Sequence, residues 1–111
     1  MFGKASRLKA SIIILNRNGE AFLERCLPSI HETISSGADV EVILADNGST
    51  DQSIPLTKRL FPEARILSLG QNYGFAEANN RAAKVARGDY LVFLNNDTIV
   101  DKGWLGTVSE F

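Results

Sequence analysis

Apolar positions along the chain fall into two patterns. Four short runs are almost continuously apolar: ASIIIL (Ala10–Leu15), VEVILA (Val40–Ala45), RILSL (Arg65–Leu69) and YLVFL (Tyr90–Leu94). They are rich in Ile, Val and Leu and close on polar residues or Gly, the look of strands buried on both faces in a parallel sheet. The segments between them carry helical spacing. Leu23, Leu27, Ile30 and Ile34 recur every three or four residues, with Glu24, Arg25 and Glu32 turned elsewhere. A second stripe starts at Phe75 and continues through Ala78, Ala82, Val85 and Ala86, with Glu77 and Arg81 paired i,i+4 on the outer side.

The middle helix carries conflicting signals. Ser49 and Gln52 have the spacing of a capping box, which predicts a helix start at Ser49. Pro55 would then lie inside that helix without an N–H to donate. A short first turn, a break near Ile54 and a second turn through Phe61 are therefore expected. Pro28 predicts a kink in the first helix for the same reason, and a last helix is expected from near Trp104. The order β-α-β-α-β-α-β then reads as an α/β layered fold, a mostly parallel sheet of about four strands flanked by helices and joined by right-handed crossovers.

In an open parallel sheet, ligands bind beyond the carboxyl ends of the strands. Four polar loops are expected at that edge. They are Asn16, Arg17, Asn18 and Gly19; Asp46 through Asp51; Gly70 through Gly74; and Asn95, Asn96, Asp97 and Thr98. Each alone has the composition of a turn, but four on one edge make a site for a polar ligand.

Composition narrows the chemistry. At 111 residues, 44% hydrophobic, the chain is one compact domain or part of one with a real core. A formal charge of −1 argues against a nucleic-acid partner. The single cysteine, Cys26, falls on the apolar side of the first helix and reads as core. No stretch reaches membrane-spanning length, the first residues lack the apolar centre of a signal peptide, and a cytoplasmic location fits. The chain contains no Gly-x-Gly-x-x-Gly after its first strand and no Gly-Lys-Ser/Thr phosphate loop. The sole histidine, His31, belongs to the first helix, away from the loops, which argues against a Ser-His-Asp or Cys-His centre. Carboxylates and carboxamides remain. These are oxygen ligands of the kind that Mg²⁺ or Mn²⁺ takes together with substrate phosphates, with Asp97 at a strand end as the natural protein ligand.

The stretches SIIILNRNGEAFLERCLPSI, VEVILADNGSTDQS, NYGFAEANNRAAKVARGDYLVFLNNDT and GWL, in this order and spacing, resemble the N-terminal half of a family 2 glycosyltransferase of the GT-A fold, from Ala10 to Leu105. The resemblance implies a Rossmann-like half-domain, residues 1–111 being the donor-binding part of a longer enzyme. It implies inverting transfer of a sugar from a nucleotide-diphosphate sugar to the hydroxyl of a glycan, lipid-linked or other acceptor. By position it places Asn16, Arg17 and Asn18 along the nucleotide, Asp46 and Asn47 at base and ribose, and Asn72, Gly74 and Asn80 behind the diphosphate. Asn95 and Asp97 take the two acidic places of the D-x-D metal motif, and Asn96 between them is placed with the nucleotide-binding residues. The departures are Asn95 and Asn47, each an amide where the family carries an acid. No residue matches the family's catalytic base, so the chain is expected to be inactive alone, and a missing half predicts self-association through an exposed apolar sheet edge. Helical spacing puts Asn79 on the apolar face of its helix, whereas the family pattern points to Asn80. The two departures also support a different class of function, a non-catalytic nucleotide-sugar-binding or assembly module. A nucleotidyltransferase ranks last, because NRNGE lacks a Gly-rich, basic phosphate loop.

Overall fold

The computed structural model describes residues 8–34 and 39–101. The elements alternate as β1 (Leu8–Asn16), α1 (Glu20–Ile34), β2 (Val40–Asp46), α2 (Ser53–Leu60), β3 (Arg65–Ser68), α3 (Phe75–Val85) and β4 (Gly88–Asn95). The four strands form one sheet in the order β3-β2-β1-β4, and every pair is parallel. The helix expected near Trp104 lies outside the described residues.

Each face of the sheet has its own core. Ile12 and Ile14 of β1 and Val42 and Leu44 of β2 face α1 and α2. There they pack with Leu23, Cys26, Leu27, Ile30, Leu56 and Phe61. Ile13, Ile43 and Ala45 point the other way, toward Ala82 of α3. Strands β1 and β2 are thus buried on both sides, which is why they read as unbroken apolar runs. Each fully buried Leu or Ile contributes about 1.5–3 kcal/mol relative to exposure.

Strand β4 departs from the expectation of burial on both faces. Val92 and Leu94 pack on the α1 side, but Leu91 and Phe93 on the α3 side are 42% and 50% exposed. The cause is topological: β4 is outermost among the described strands, and α3 packs over β1 and β2.

The helices bring two further corrections. α2 begins at Ser53, not at Ser49, and runs unbroken to Leu60. Pro55 is its third residue, within the first turn, where a missing N–H leaves no intrahelical bond unmade. Ser49 is engaged elsewhere, with Asp46. α1 runs from Glu20 to Ile34 through Pro28 without interruption. Pro28 is exposed. In α3, Ala78 and Ala82 are buried as the stripe predicts, but Phe75 and Val85 at the two ends of the helix are 70% and 38% exposed. The Glu77–Arg81 pair forms at 2.8 Å.

Candidate functional site

The register of the sheet sets its carboxyl edge. Asn16 pairs with Asp46 and Leu15 with Asn95, and Asp46 pairs onward with Ser68, so all four strands end at one level. The four polar loops therefore meet on one edge, as the strand pattern predicts.

Beneath the surface of that edge lies a layer of paired amides and carboxylate. Asn16 and Asp46 are each 1% exposed and Asn47 5%. Asn16 Nδ2 donates to Asp46 Oδ1 at 3.1 Å and to Ser49 Oγ at 3.3 Å, and its Oδ1 accepts from Asn96 Nδ2 at 2.9 Å. Asp46 closes its own turn, taking the Ser49 N–H at 2.9 Å and the Ser49 hydroxyl at 2.7 Å. Asn47 donates to Asn72 Oδ1 at 3.0 Å and to the Gly74 carbonyl at 3.4 Å, and accepts from the Tyr73 N–H at 2.8 Å. Polar groups buried this deeply cost free energy unless paired, and these pair with one another across three loops and the end of β4. Gly19 fits here because it has no side chain: a Cβ would run into the Asn16 and Asn96 amides.

A second clasp ties the first loop to the second. Asn18 adopts φ 54°, a left-handed conformation that Asn tolerates. Its Oδ1 accepts from the Thr50 and Asp51 N–H groups at 2.7 and 3.2 Å, while its own N–H reaches Ser49 Oγ at 2.8 Å. Asp51 serves two helices: Oδ2 accepts from the first N–H of α1, Glu20, at 3.2 Å, and Oδ1 from Ser53, the first of α2, at 2.9 Å. Burial raises the Asp51 pKa, but hydrogen bonds from Ser53 and the Glu20 amide outweigh it and hold the carboxyl below its ordinary value.

Above these layers stand the exposed groups: Arg17, Asn18, Thr50, Asn72, Gly74, Asn80, Asn95 and Asp97. Asn80 is exposed and Asn79 half-buried, in keeping with Asn79 on the apolar side and Asn80 facing out. A turn closes from Thr98 N–H to the Asn95 carbonyl at 3.1 Å, projecting Asp97 over α1. There Asp97 lines a cavity of 430 Å³ with Ala21, Phe22, Glu24, Arg25 and Ile99. Burial and then the Asp97 charge push the Cys26 thiol up to about 11, so this cysteine is inert core. Among the described residues no three His, Cys, Asp or Glu side chains gather as a metal site. The exposed Asp97 carboxylate is the kind of oxygen ligand that a hard cation takes as one of few protein ligands, completing its shell with phosphate and water. Asp97 and Asn95 would hold it.

Sequence reasoning put Ser49 and Asp51 in the second loop but missed their roles: Ser49 joins the Asp46 turn to Asn18, and Asp51 is the shared cap. The Ser-x-Asp spacing was the available signal. His31 lies clear of the edge, with Glu63 at 3.2 Å and the Phe61 ring edge-on at 4.8 Å.

Residues 11–111 match the sequence profile of Glycosyl transferase family 2. The chain belongs to that family. It is 34% identical over 103 residues to the uncharacterized glycosyltransferase EpsJ of Bacillus subtilis, which covers 90% of this chain and 29% of the relative. Its fold matches Staphylococcus aureus TarS 1-349 in complex with UDP-GlcNAc at TM-score 0.83 and 24% identity, over 93% of this chain and 30% of TarS. It also matches the Mycobacterium tuberculosis glucosyl-3-phosphoglycerate synthase in complex with Mn²⁺, UDP and glucosyl-3-phosphoglycerate. That match has TM-score 0.70 and 28% identity, over 93% of this chain and 38% of the synthase. The family 2 chain thus spans about a third of the length of these relatives, and its parallel sheet with flanking helices is the Rossmann-like part of the GT-A fold. Among the described residues no helix is long and apolar enough to cross a membrane.

Proposed function

We propose that this family 2 chain is the donor-binding part of a longer glycosyltransferase. It would hold a nucleotide-diphosphate sugar for inverting transfer to the hydroxyl of a glycan, lipid-linked or other acceptor. The observation that supports this reading most is the convergence of four polar loops on one edge, with exposed Asp97 and Asn95 above a paired layer. The 28% identical synthase carrying Mn²⁺ and UDP adds to it. Arg17, Asn18, Asn72, Gly74 and Asn80 would line the nucleotide, and Asn16, Asp46, Asn47 and Asn96 would form the support beneath them. A divalent cation, Mn²⁺ or Mg²⁺, bound at Asp97 and Asn95 would supply neutralisation of the charge that develops on the leaving nucleotide. Asp97 contributes a full negative charge there, and Asn95 a neutral oxygen that leaves the site weak until phosphate oxygens join. No residue of this chain is assigned as catalytic base.

Mn²⁺ is paramagnetic, so it broadens the NMR signals of nearby groups. With UDP present, broadening centred on Asn95–Asp97 and the Asn72–Gly74 amides is expected, and little without UDP. Broadening spread over the surface carboxylates in both cases would defeat the proposal. A non-catalytic module is the second reading, favoured by the self-contained pairing of Asn16, Asp46 and Asn47. Nucleotide binding indifferent to the cation would support it.

A further inference from the structure

We infer that Asn47 is a positioning residue that locks the Asn72–Gly74 segment to the Asp46 turn, and that it does not read the nucleotide base. The part of this inference that concerns the nucleotide rests on the donor-site reading above. Asn47 is buried, and both its amide hydrogens and its carbonyl oxygen are spent on one loop. The orientation of that amide is fixed by the backbone it meets. The Tyr73 N–H can only donate and the Gly74 carbonyl can only accept, so Oδ1 must face the first and Nδ2 the second. Asn72 completes the ring of bonds, its Oδ1 accepting both the Asn47 amide and the Gly74 N–H at 2.9 Å. The base edge would therefore meet neither donor of Asn47, whose buried Oδ1 is turned to the Tyr73 N–H.

Two further contacts make the lock stiff. Gly48, at φ +82°, brings the second loop against the third. A Cβ there would lie 2.7 Å from the Gln71 carbonyl carbon and 2.9 Å from the Asn72 nitrogen. From the helix side, the Arg81 guanidinium stacks on the Tyr73 ring at 3.8 Å and pairs with Glu77 at 2.8 Å. Gly74 is also the N-cap of α3, and its carbonyl takes the Ala78 N–H at 3.2 Å. The Asp46 turn, the 70–74 loop and the start of α3 are thereby fixed in one arrangement, with Asn47 at the joint. A carboxylate in its place would lose both donated bonds and set lone pairs against Asn72 Oδ1 and the Gly74 carbonyl. At Asn72, by contrast, a carboxylate would still accept both of the bonds that the residue receives.

Amide hydrogen exchange on the nucleotide-free chain tests the lock itself. Asn47→Ala, which removes the acceptor of the Tyr73 N–H, should speed exchange at Tyr73 by about tenfold, the loss of one hydrogen bond of ordinary strength, while Ile13 and Ile43 in the sheet stay protected. Asn72→Asp should leave Tyr73 and Gly74 as slow as before. Unchanged exchange at Tyr73 in Asn47→Ala would overturn the inference. In titrations with Mn²⁺, Asn47→Asp should weaken UDP and GDP by the same factor, about fivefold or more. A changed UDP-to-GDP ratio would restore Asn47 as a base reader and overturn it too. Absence of nucleotide binding by the unaltered chain would instead remove the donor-site reading, and the exchange result would still decide the lock.

Discussion

A single carboxylate at the end of the sheet opposite the loops shows how closely one residue is bound into the fold. Glu41 takes hydrogen bonds from Ser11 Oγ at 2.5 Å, the Arg87 N–H at 2.6 Å and Arg65 Nη1 at 2.7 Å. Ser11 Oγ in turn accepts the Gly88 N–H at 2.8 Å. One side chain thus joins β2 to β1, β3 and the entry of β4. Burial raises its pKa, but the bonds from Ser11, Arg87 and Arg65, with the Arg65 charge, outweigh it and leave the carboxyl below its ordinary 4.5. A carboxyl whose pKa is lower folded than unfolded stabilises the fold in full above the unfolded value and stops doing so as pH falls through the folded one. Urea denaturation should therefore show stability declining from about pH 4.5 downward, and Glu41→Gln should lower stability at pH 7 and flatten that decline. An unchanged acid limb in the variant would remove Glu41 from this role. Such partners were not legible in the sequence. Asn16 and Asn96, or Glu41 and Arg87, lie tens of residues apart, so their Asn, Asp and Glu side chains show only that a polar group is present, never what it meets.

Among the elements, β1 and β2 were the most legible, because burial on two faces favours apolar residues along most of their length. The start of α2 was misread because the same Ser that would cap a helix can close an Asx turn, and here Asp46 is the nearer partner. Asp51 does the capping instead, for α1 and α2 together. Asp51→Ala should destabilise the chain by about 1–2 kcal/mol, more than an ordinary cap because two helices lose an acceptor. Chemical denaturation measures this, with Asp51→Asn recovering part of the loss. A change below about 0.3 kcal/mol would show that the shared cap contributes little.

For the molecule as a whole, α/β layering and the site edge were readable from periodicity. The exposure of β4 was not, since an apolar run looks the same whether or not a neighbour covers it. Tyr90, Leu91 and Phe93 stand 52%, 42% and 50% exposed on that strand, and apolar strips on outer strands associate. Sedimentation velocity should show concentration-dependent self-association of the chain that Phe93→Lys reduces. A strictly monomeric species at all concentrations would count against it. The proposed donor site would be a property of four loops held in one register, with Asp97 as its charged contact to a cation. Calorimetric titration of UDP into the folded chain with Mn²⁺, with EDTA and in Asp97→Ala tests this most directly. Binding that requires both the cation and Asp97 is the predicted result. Binding that survives EDTA and Asp97→Ala alike, or none by the folded chain, would contradict it.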